Sequence, residues 1–397
     1  MTNVAFPTDF LWGTSTAAAQ VETPYDHDWK GWHARDGSVL GRAIEHELHR
    51  EEDADIIASL GNAYRFSFDW SRLQRGPRES LDAETVREYR AFMESLKERG
   101  MHLMLVLHHF AEPRWFTSLG SWRSRDAEEN FMDYVGKVVG AFGDLVDSWN
   151  TFNEPTVFTY YGYLTARRPP KRLDPLGFIR TIRRLSAVHN LAYAEIKERF
   201  PDAPVGVSHN TMVFEPETLL GRLPAAIADH FALEVVPSLF NEVDFVGLSY
   251  YGKVPFVPYP VSEIDTPGKL ARLNRPHDKM WEYHPEGLTE ILLRLSERFQ
   301  KPLIVTENGC CTDDDTQRVQ SIADHVKACH GAMQQGVDLR GYFHWSAFDN
   351  FEWDLGMSYR FGLVDIDPVT MERRPKPSAA FYAEIARSGG LANYKLP

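Results

Sequence analysis

The sequence predicts an α/β fold, a single (β/α)8 barrel of the TIM type, on three observations. Apolar, β-branched runs alternate with amphipathic helical runs along the whole chain, the pattern of repeated βα units and a parallel sheet. Eight such pairs can be counted, and closing eight parallel strands into a barrel removes the exposed edges an open sheet would carry. Polar and aromatic residues gather at the C-terminal ends of the strands, the end at which such a barrel builds its site. A length of 397 residues suits one barrel with loop insertions, so residues 1–397 are expected to form one domain.

The expected strands are 10–19, 63–70, 102–109, 147–154, 203–210, 244–251, 302–308 and 340–347. Helical periodicity follows each, at 50–60, 82–99, 126–144, 176–200, 221–239, 287–299, 315–335 and 377–387. Boundary signals agree: Leu81-Asp82 opens one helix, Arg99-Gly100 closes it, and Phe200-Pro201-Asp202-Ala203-Pro204 separates the fourth helix from the fifth strand. The Pro- and Gly-containing stretch at about 252–286 reads as a long loop between the sixth strand and its helix. Pro302 to Gly309 stands out, because five apolar or β-branched residues deliver a carboxylate, Glu307, just before an Asn-Gly turn. A charge at the tip of a buried strand is costly unless paired or used. A second segment of this kind, Asp147 to Pro155, ends in Asn153-Glu154.

Composition narrows the partners. Hydrophobic residues at 43% and charged residues at 25% are globular values. The net charge of −13 argues against a nucleic-acid partner or an anionic membrane. Cys310, Cys311 and Cys329 cannot all pair, and two are adjacent, so reduced thiols in a cytoplasmic protein are expected. Met1-Thr2-Asn3-Val4 shows no basic region leading an apolar core, and no apolar run approaches the roughly 20 residues of a membrane span. Oligomeric state is not readable from these residues.

Gln20, Arg65, His108-His109, Asn153-Glu154, Asn210, Tyr250-Tyr251, Glu307 and Trp345 all fall at or near the C-terminal strand ends. Two carboxylates without a metal-ligand cluster suggest acid/base or nucleophilic carbohydrate chemistry. No His-x-x-x-His or Cys-x-x-Cys pair and no Gly-rich phosphate loop is present, so neither metal nor cofactor is called for. Ten Trp and sixteen Tyr add stacking surfaces suited to sugar faces.

These residues carry a resemblance to glycoside hydrolase family 1, the β-glucosidase and β-galactosidase family. Its segments run almost end to end: Phe6-Pro7-x-Asp9-Phe10-x-Trp12-Gly13, Ala17-Ala18-Ala19-Gln20-Val21-Glu22, and Tyr64-Arg65-Phe66-Ser67-x-x-Trp70-x-Arg72. Thr151-Phe152-Asn153-Glu154-Pro155, Asp244 to Tyr251 and Thr306-Glu307-Asn308-Gly309 follow. Gly341-Tyr342-Phe343-x-Trp345-Ser346, Asp349-Asn350-Phe351-Glu352-Trp353 and Arg360-Phe361-Gly362 complete the set.

The resemblance implies a retaining exo-β-glycosidase with Glu307 as nucleophile and Glu154 as acid/base. Gln20, His109, Asn153, Tyr251, Trp345, Glu352 and Trp353 would bind the sugar, while Arg65 and Tyr251 hold the nucleophile ionised and aimed. His109 rather than His108 keeps the family spacing to Pro113, and Phe110 then replaces a family Trp. Ser249 stands where the family usually has Asn, and Thr156 where many members have Trp, which opens the leaving-group side. The substrate is expected to be a small β-glycoside or oligosaccharide: neutral β-D-glucosides, with β-D-galactosides and β-D-fucosides as co-substrates. The same intermediate would serve a transglycosidase if an acceptor near Thr156 outcompetes water. A non-catalytic sugar-binding relative would be expected to lose a carboxylate, and both are present.

Overall fold

The computed structural model describes residues 4–216, 218–256, 270 and 274–391. Eight parallel strands close a barrel: β1 Leu11–Ser15, β2 Ala63–Ser67, β3 His102–His108, β4 Ser148–Asn153, β5 Val205–Asn210, β6 Phe245–Ser249, β7 Leu303–Asn308 and β8 Leu339–Trp345, with β8 pairing back to β1. Their helices are α1 Arg50–Leu60, α2 Ala83–Glu98, α3 Ala127–Phe142, α4 Pro175–Arg199, α5 Arg222–His230, α6 Pro285–Phe299, α7 Asp315–Gln334 and α8 Pro377–Ser388. After α5 the chain continues through a wider π-type turn, Phe231–Val235, into Val236–Leu239.

The helix ends follow from local chemistry. Asp82 caps α2 by accepting from the Thr85 amide at 2.9 Å, and Gly100 at φ +77° ends it in the left-handed conformation glycine tolerates. Most of the core lies between the strands and the helical ring. A second, small apolar cluster of Ala63, Met104, Phe245, Ile304 and Phe343 plugs the barrel below the site.

Two expected strands are shorter than their apolar runs. β1 stops at Ser15 and the chain turns into a short helix, Ala18–Val21, that carries Gln20. β2 stops at Ser67 because Asp69 accepts from the amides of Ser71 and Arg72 and caps Trp70–Leu73. In the expected loop 252–286, Lys253–Phe256 pairs in parallel with Val213–Pro216, while 257–269 and 271–273 lie outside the described residues. All three cysteines are buried and free. Among the described residues no helix is long and apolar enough to cross a membrane.

Strand alternation breaks where the site begins. From Ile304 in the barrel plug, period two would turn Glu307 outward and Asn308 inward. The β7 register shifts between Val305 and Glu307, so the parity reverses. Asn308 then faces the outer core, where its Nδ2 donates to the Tyr250 carbonyl at 2.6 Å and its Oδ1 accepts from the Tyr342 hydroxyl at 2.7 Å. A similar shift lies between Asn150 and Asn153 of β4. Gly309 follows because a Cβ there would lie 2.0 Å from the Trp345 carbonyl oxygen.

Candidate active site

Arg65 has no solvent exposure and sits inside the barrel in register with Ser15 and Met104. Its Nη1 donates to Glu307 Oε1 at 2.7 Å and to Ser15 Oγ at 2.9 Å. Its Nη2 donates to Asn153 Oδ1 at 2.5 Å and to Ser208 Oγ at 3.2 Å. The second oxygen of Glu307 accepts from the Tyr251 hydroxyl at 2.7 Å. Burial, then the charges of Glu307 and Glu154, hold the Tyr251 phenol well above its ordinary range, so it stays a neutral donor.

Asn153 orients the next residue. Its Oδ1 takes the guanidinium, so its Nδ2 donates to His109 Nε2 at 2.9 Å, and the imidazole carries its proton on Nδ1. Burial and the nearby Arg65 charge push the His109 pKa well down, keeping the ring neutral. His109 Nδ1 is buried and meets no protein acceptor. His108, one residue earlier, faces the outer core against Trp122, Phe152 and Phe158.

Glu154 is held at φ +45°, in the left-handed region, and Pro155 after it starts a short helix. Proline disfavours the right-handed helical conformation in the residue before it, which helps fix this bend. The Glu154 amide donates to the Ser208 carbonyl at 2.8 Å, and Asn210 Nδ2 donates to Glu154 Oε1 at 3.0 Å. Burial, then the negative charge of Glu307, pushes the Glu154 carboxyl up to about 8; the Asn210 hydrogen bond and Arg65 pull the other way. The two carboxyls thus differ in kind. Glu307 is ion-paired and doubly hydrogen-bonded, while Glu154 is desolvated beside a like charge.

Gln20 lies at the other side of the site. Its Nε2 donates to the Phe351 carbonyl at 2.9 Å, Asn350 Oδ1 at 3.1 Å and Glu352 Oε2 at 3.2 Å, and its Oε1 is buried without a protein partner. Burial raises the Glu352 carboxyl to about 7, against the lowering effect of Arg168 and the Gln20 hydrogen bond. Trp353, at φ +43°, packs between Trp29, at 4.9 Å between ring centroids, and Phe110, at 5.1 Å. Trp345 lies 5.8 Å from the His109 ring centroid, and Trp353 lies 6.0 Å from it.

Gln20, Arg65, His109, Asn153, Glu154, Asn210, Tyr251, Glu307, Trp345, Glu352 and Trp353 therefore lie toward one end of the barrel, whereas His108 and Tyr250 face the outer core, the Tyr250 hydroxyl donating to the His284 carbonyl at 2.6 Å. Among the described residues no group of three or more His, Cys, Asp or Glu side chains could hold a metal ion.

Comparison with known proteins follows the same line. The profile described as glycosyl hydrolase family 1 matches residues 2–220 and 225–391. The chain belongs to that family. Beta-glucosidase A of Thermotoga maritima is 30% identical over 446 residues, covering 97% of this chain and 98% of its own. A beta-galactosidase of Pyrococcus woesei is 28% identical, over 97% of this chain and 98% of its own. The solved beta-glycosidase of Pyrococcus horikoshii superposes with a TM-score of 0.87 at 31% identity, covering 99% of this chain and 97% of that one.

As a glycoside hydrolase the chain also holds residues that sequence reasoning missed. Ser15 and Ser208 satisfy Arg65, and nothing but their place near strand ends marks them. Arg168 is hidden in a basic run. Its Nε donates to Asp354 Oδ1 at 2.6 Å, Arg167 Nη2 donates to Oδ2 at 2.7 Å, and the Arg168 guanidinium lies over the Tyr161 ring at 4.3 Å. Although burial raises it, the charges of Arg168 and Arg167 bring the Asp354 carboxyl down to about 2.

Asp354→Asn leaves these guanidinium groups without their counter-charge. The expected loss is about 3 kcal/mol, the low end for breaking a buried pair because Arg167 keeps some contact with solvent. A depressed carboxyl pKa contributes stability that is complete above its unfolded value of about 3.9 and lost as pH falls through its folded value. Denaturant titration should therefore show a constant gap between wild type and variant from neutrality down to about pH 5, narrowing as pH falls further. A gap that is absent at neutral pH contradicts the assignment.

Proposed function

We propose that this hydrolase is a retaining exo-β-glycosidase acting on neutral β-D-glucosides, with Glu307 as nucleophile and Glu154 as acid/base, and that residues 1–397 form one catalytic domain. The observation that carries the reading is the unequal surroundings of the two glutamates. Glu307 accepts from Arg65 and Tyr251 at 2.7 Å each, while Glu154 is desolvated beside that carboxylate and its carboxyl is pushed up to about 8.

In the first step a Glu307 oxygen attacks the anomeric carbon as the bond to the leaving oxygen breaks, and Glu154 gives that oxygen its proton. The products are a covalent glycosyl ester on Glu307 and an ionised Glu154. Esterification removes the Glu307 charge, which is the second-largest cause of the raised Glu154 pKa. Glu154 then becomes a better-stabilised carboxylate and takes a proton from water. The resulting hydroxide character attacks the same carbon, the ester bond breaks, and both carboxyls return to their starting states.

The sugar's own groups match what the protein leaves open. Asn153 Nδ2 spends one hydrogen on His109 and keeps a second for the 2-hydroxyl. His109 Nδ1–H and Gln20 Oε1, both buried without protein partners, can donate to and accept from further hydroxyls. Glu352 can accept from the 4- and 6-hydroxyls beside the Trp353 indole, and a 4-epimer still reaches it, which supports β-D-galactosides and β-D-fucosides as co-substrates. The Trp-to-Phe110 and Asn-to-Ser249 replacements change the surroundings of this pocket without removing either carboxyl.

Two measurements test the reading. For an aryl β-glucoside with a poor leaving group, kcat/KM should fall as pH rises through about 8, because the raised Glu154 pKa keeps the needed proton only below that value. A rate that does not fall there removes Glu154 as the acid. The second compares β-D-glucoside with its 6-phosphate. Above about pH 7, where Glu352 is ionised, a phosphate dianion would meet its charge, with Tyr359 and Phe361 nearby in sequence and Arg168 already committed to Asp354 at 2.6 Å. The neutral sugar should show the higher kcat/KM, and the reverse order overturns the pocket assignment.

A further inference from the structure

Large aliphatic side chains are unevenly exposed on this barrel. Thirteen exposed large hydrophobics occur among the described residues, and seven of them fall in just two short segments. Leu173, Leu176 and Ile179 lie in the connection from β4 to α4 and the first turns of α4. Leu219, Leu220, Leu223 and Ile227 lie in the connection from β5 to α5 and on α5, where 219, 223 and 227 repeat every four residues and form one outward stripe. All seven are between 46% and 83% exposed. The segments are neighbours, since Phe178 of α4 meets Phe231 one turn beyond Ile227 with ring centroids 5.7 Å apart.

Charge around this patch runs against the rest of the molecule. Residues 166–184 carry seven Arg or Lys and one Asp in a chain of net charge −13. Arg172, Arg180, Arg183 and Arg222 are exposed and make no ion pair among the described residues. Among the described residues, the nearby Asp174 is paired with Arg123 at 2.8 Å and Asp229 with Arg294 at 2.5 Å. The unfavourable total charge therefore does not describe this face.

We infer that the Leu173–Ile179 and Leu219–Ile227 patch, with Arg172, Arg180, Arg183 and Arg222 around it, docks peripherally on an anionic phospholipid surface. Protruding aliphatic side chains enter the acyl boundary while arginines meet the headgroup phosphates. A second copy of the chain fits less well, because a two-fold interface would set the unpaired arginines against each other. A protein partner also fits less well, since protein interfaces centre on aromatic anchors and under-use Leu, and the exposed large apolar side chains of this patch are all aliphatic. Both segments follow strands that bring Glu154 and Asn210 to the site, so docking would hold the rim of the barrel mouth against the lipid.

The test is sedimentation of the full chain with phosphatidylcholine vesicles and with vesicles containing phosphatidylglycerol. Wild type should partition onto the phosphatidylglycerol vesicles and leave them at high salt. L220E/L223E and R180E/R183E should each lower the partition coefficient roughly tenfold or more, given about a tenfold effect for one to two charges near the surface. Both variants alter exposed positions away from the carboxyls, so unchanged hydrolysis of a soluble aryl glycoside certifies their folding. No binding to anionic vesicles, equal binding by wild type and variants, or self-association abolished by L220E/L223E in place of vesicle binding overturns the inference.

Discussion

A guanidinium sealed inside the barrel sets the terms for everything above it. Arg65 has no access to water, so its charge needs partners from other strands. Ser15, Asn153, Ser208 and Glu307 accept from its two Nη groups from β1, β4, β5 and β7, while its buried Nε meets no protein acceptor. The consequence reaches beyond charge balance. Fixing Asn153 fixes the His109 tautomer, and fixing Glu307 places a negative charge near Glu154, which raises that carboxyl. One buried cation thereby gives the two glutamates opposite surroundings, Glu307 ion-paired and Glu154 desolvated beside a like charge.

The fold is legible in the sequence because burial forces its pattern. Strands covered on both sides are rich in apolar and β-branched residues, and the helices that cover them must alternate with them, so all eight pairs can be read within a few residues of their ends. What cannot be read is parity at the strand tips. Period two in β7 sends Glu307 outward, and only the local irregularity turns it in while Asn308 takes the outer position. Gln20 is recognisable by its motif, yet the end of β1 at Ser15 and the turn onto a short helix come from packing rather than from any strong breaker.

Charge is the other quantity that composition hides. A chain of net charge −13 reads as unsuited to an anionic surface, yet that sum averages over a face where arginines stand unpaired beside exposed leucines. Arg168 shows the same limit within the site, because its pairing with Asp354, about 186 positions away in sequence, follows no periodic rule. Such contacts depend on which loops the barrel brings together, and the sequence states only their composition.

The proposed chemistry requires Glu154 to act upon a covalent intermediate held by Glu307. The direct measurement uses Glu154→Ala with an aryl β-glucoside whose leaving group needs no protonation, assayed with and without azide. The intermediate should still form, azide should speed its breakdown, and the product should be the β-glucosyl azide. An absence of any azide effect, or an α-configured product, would contradict the account.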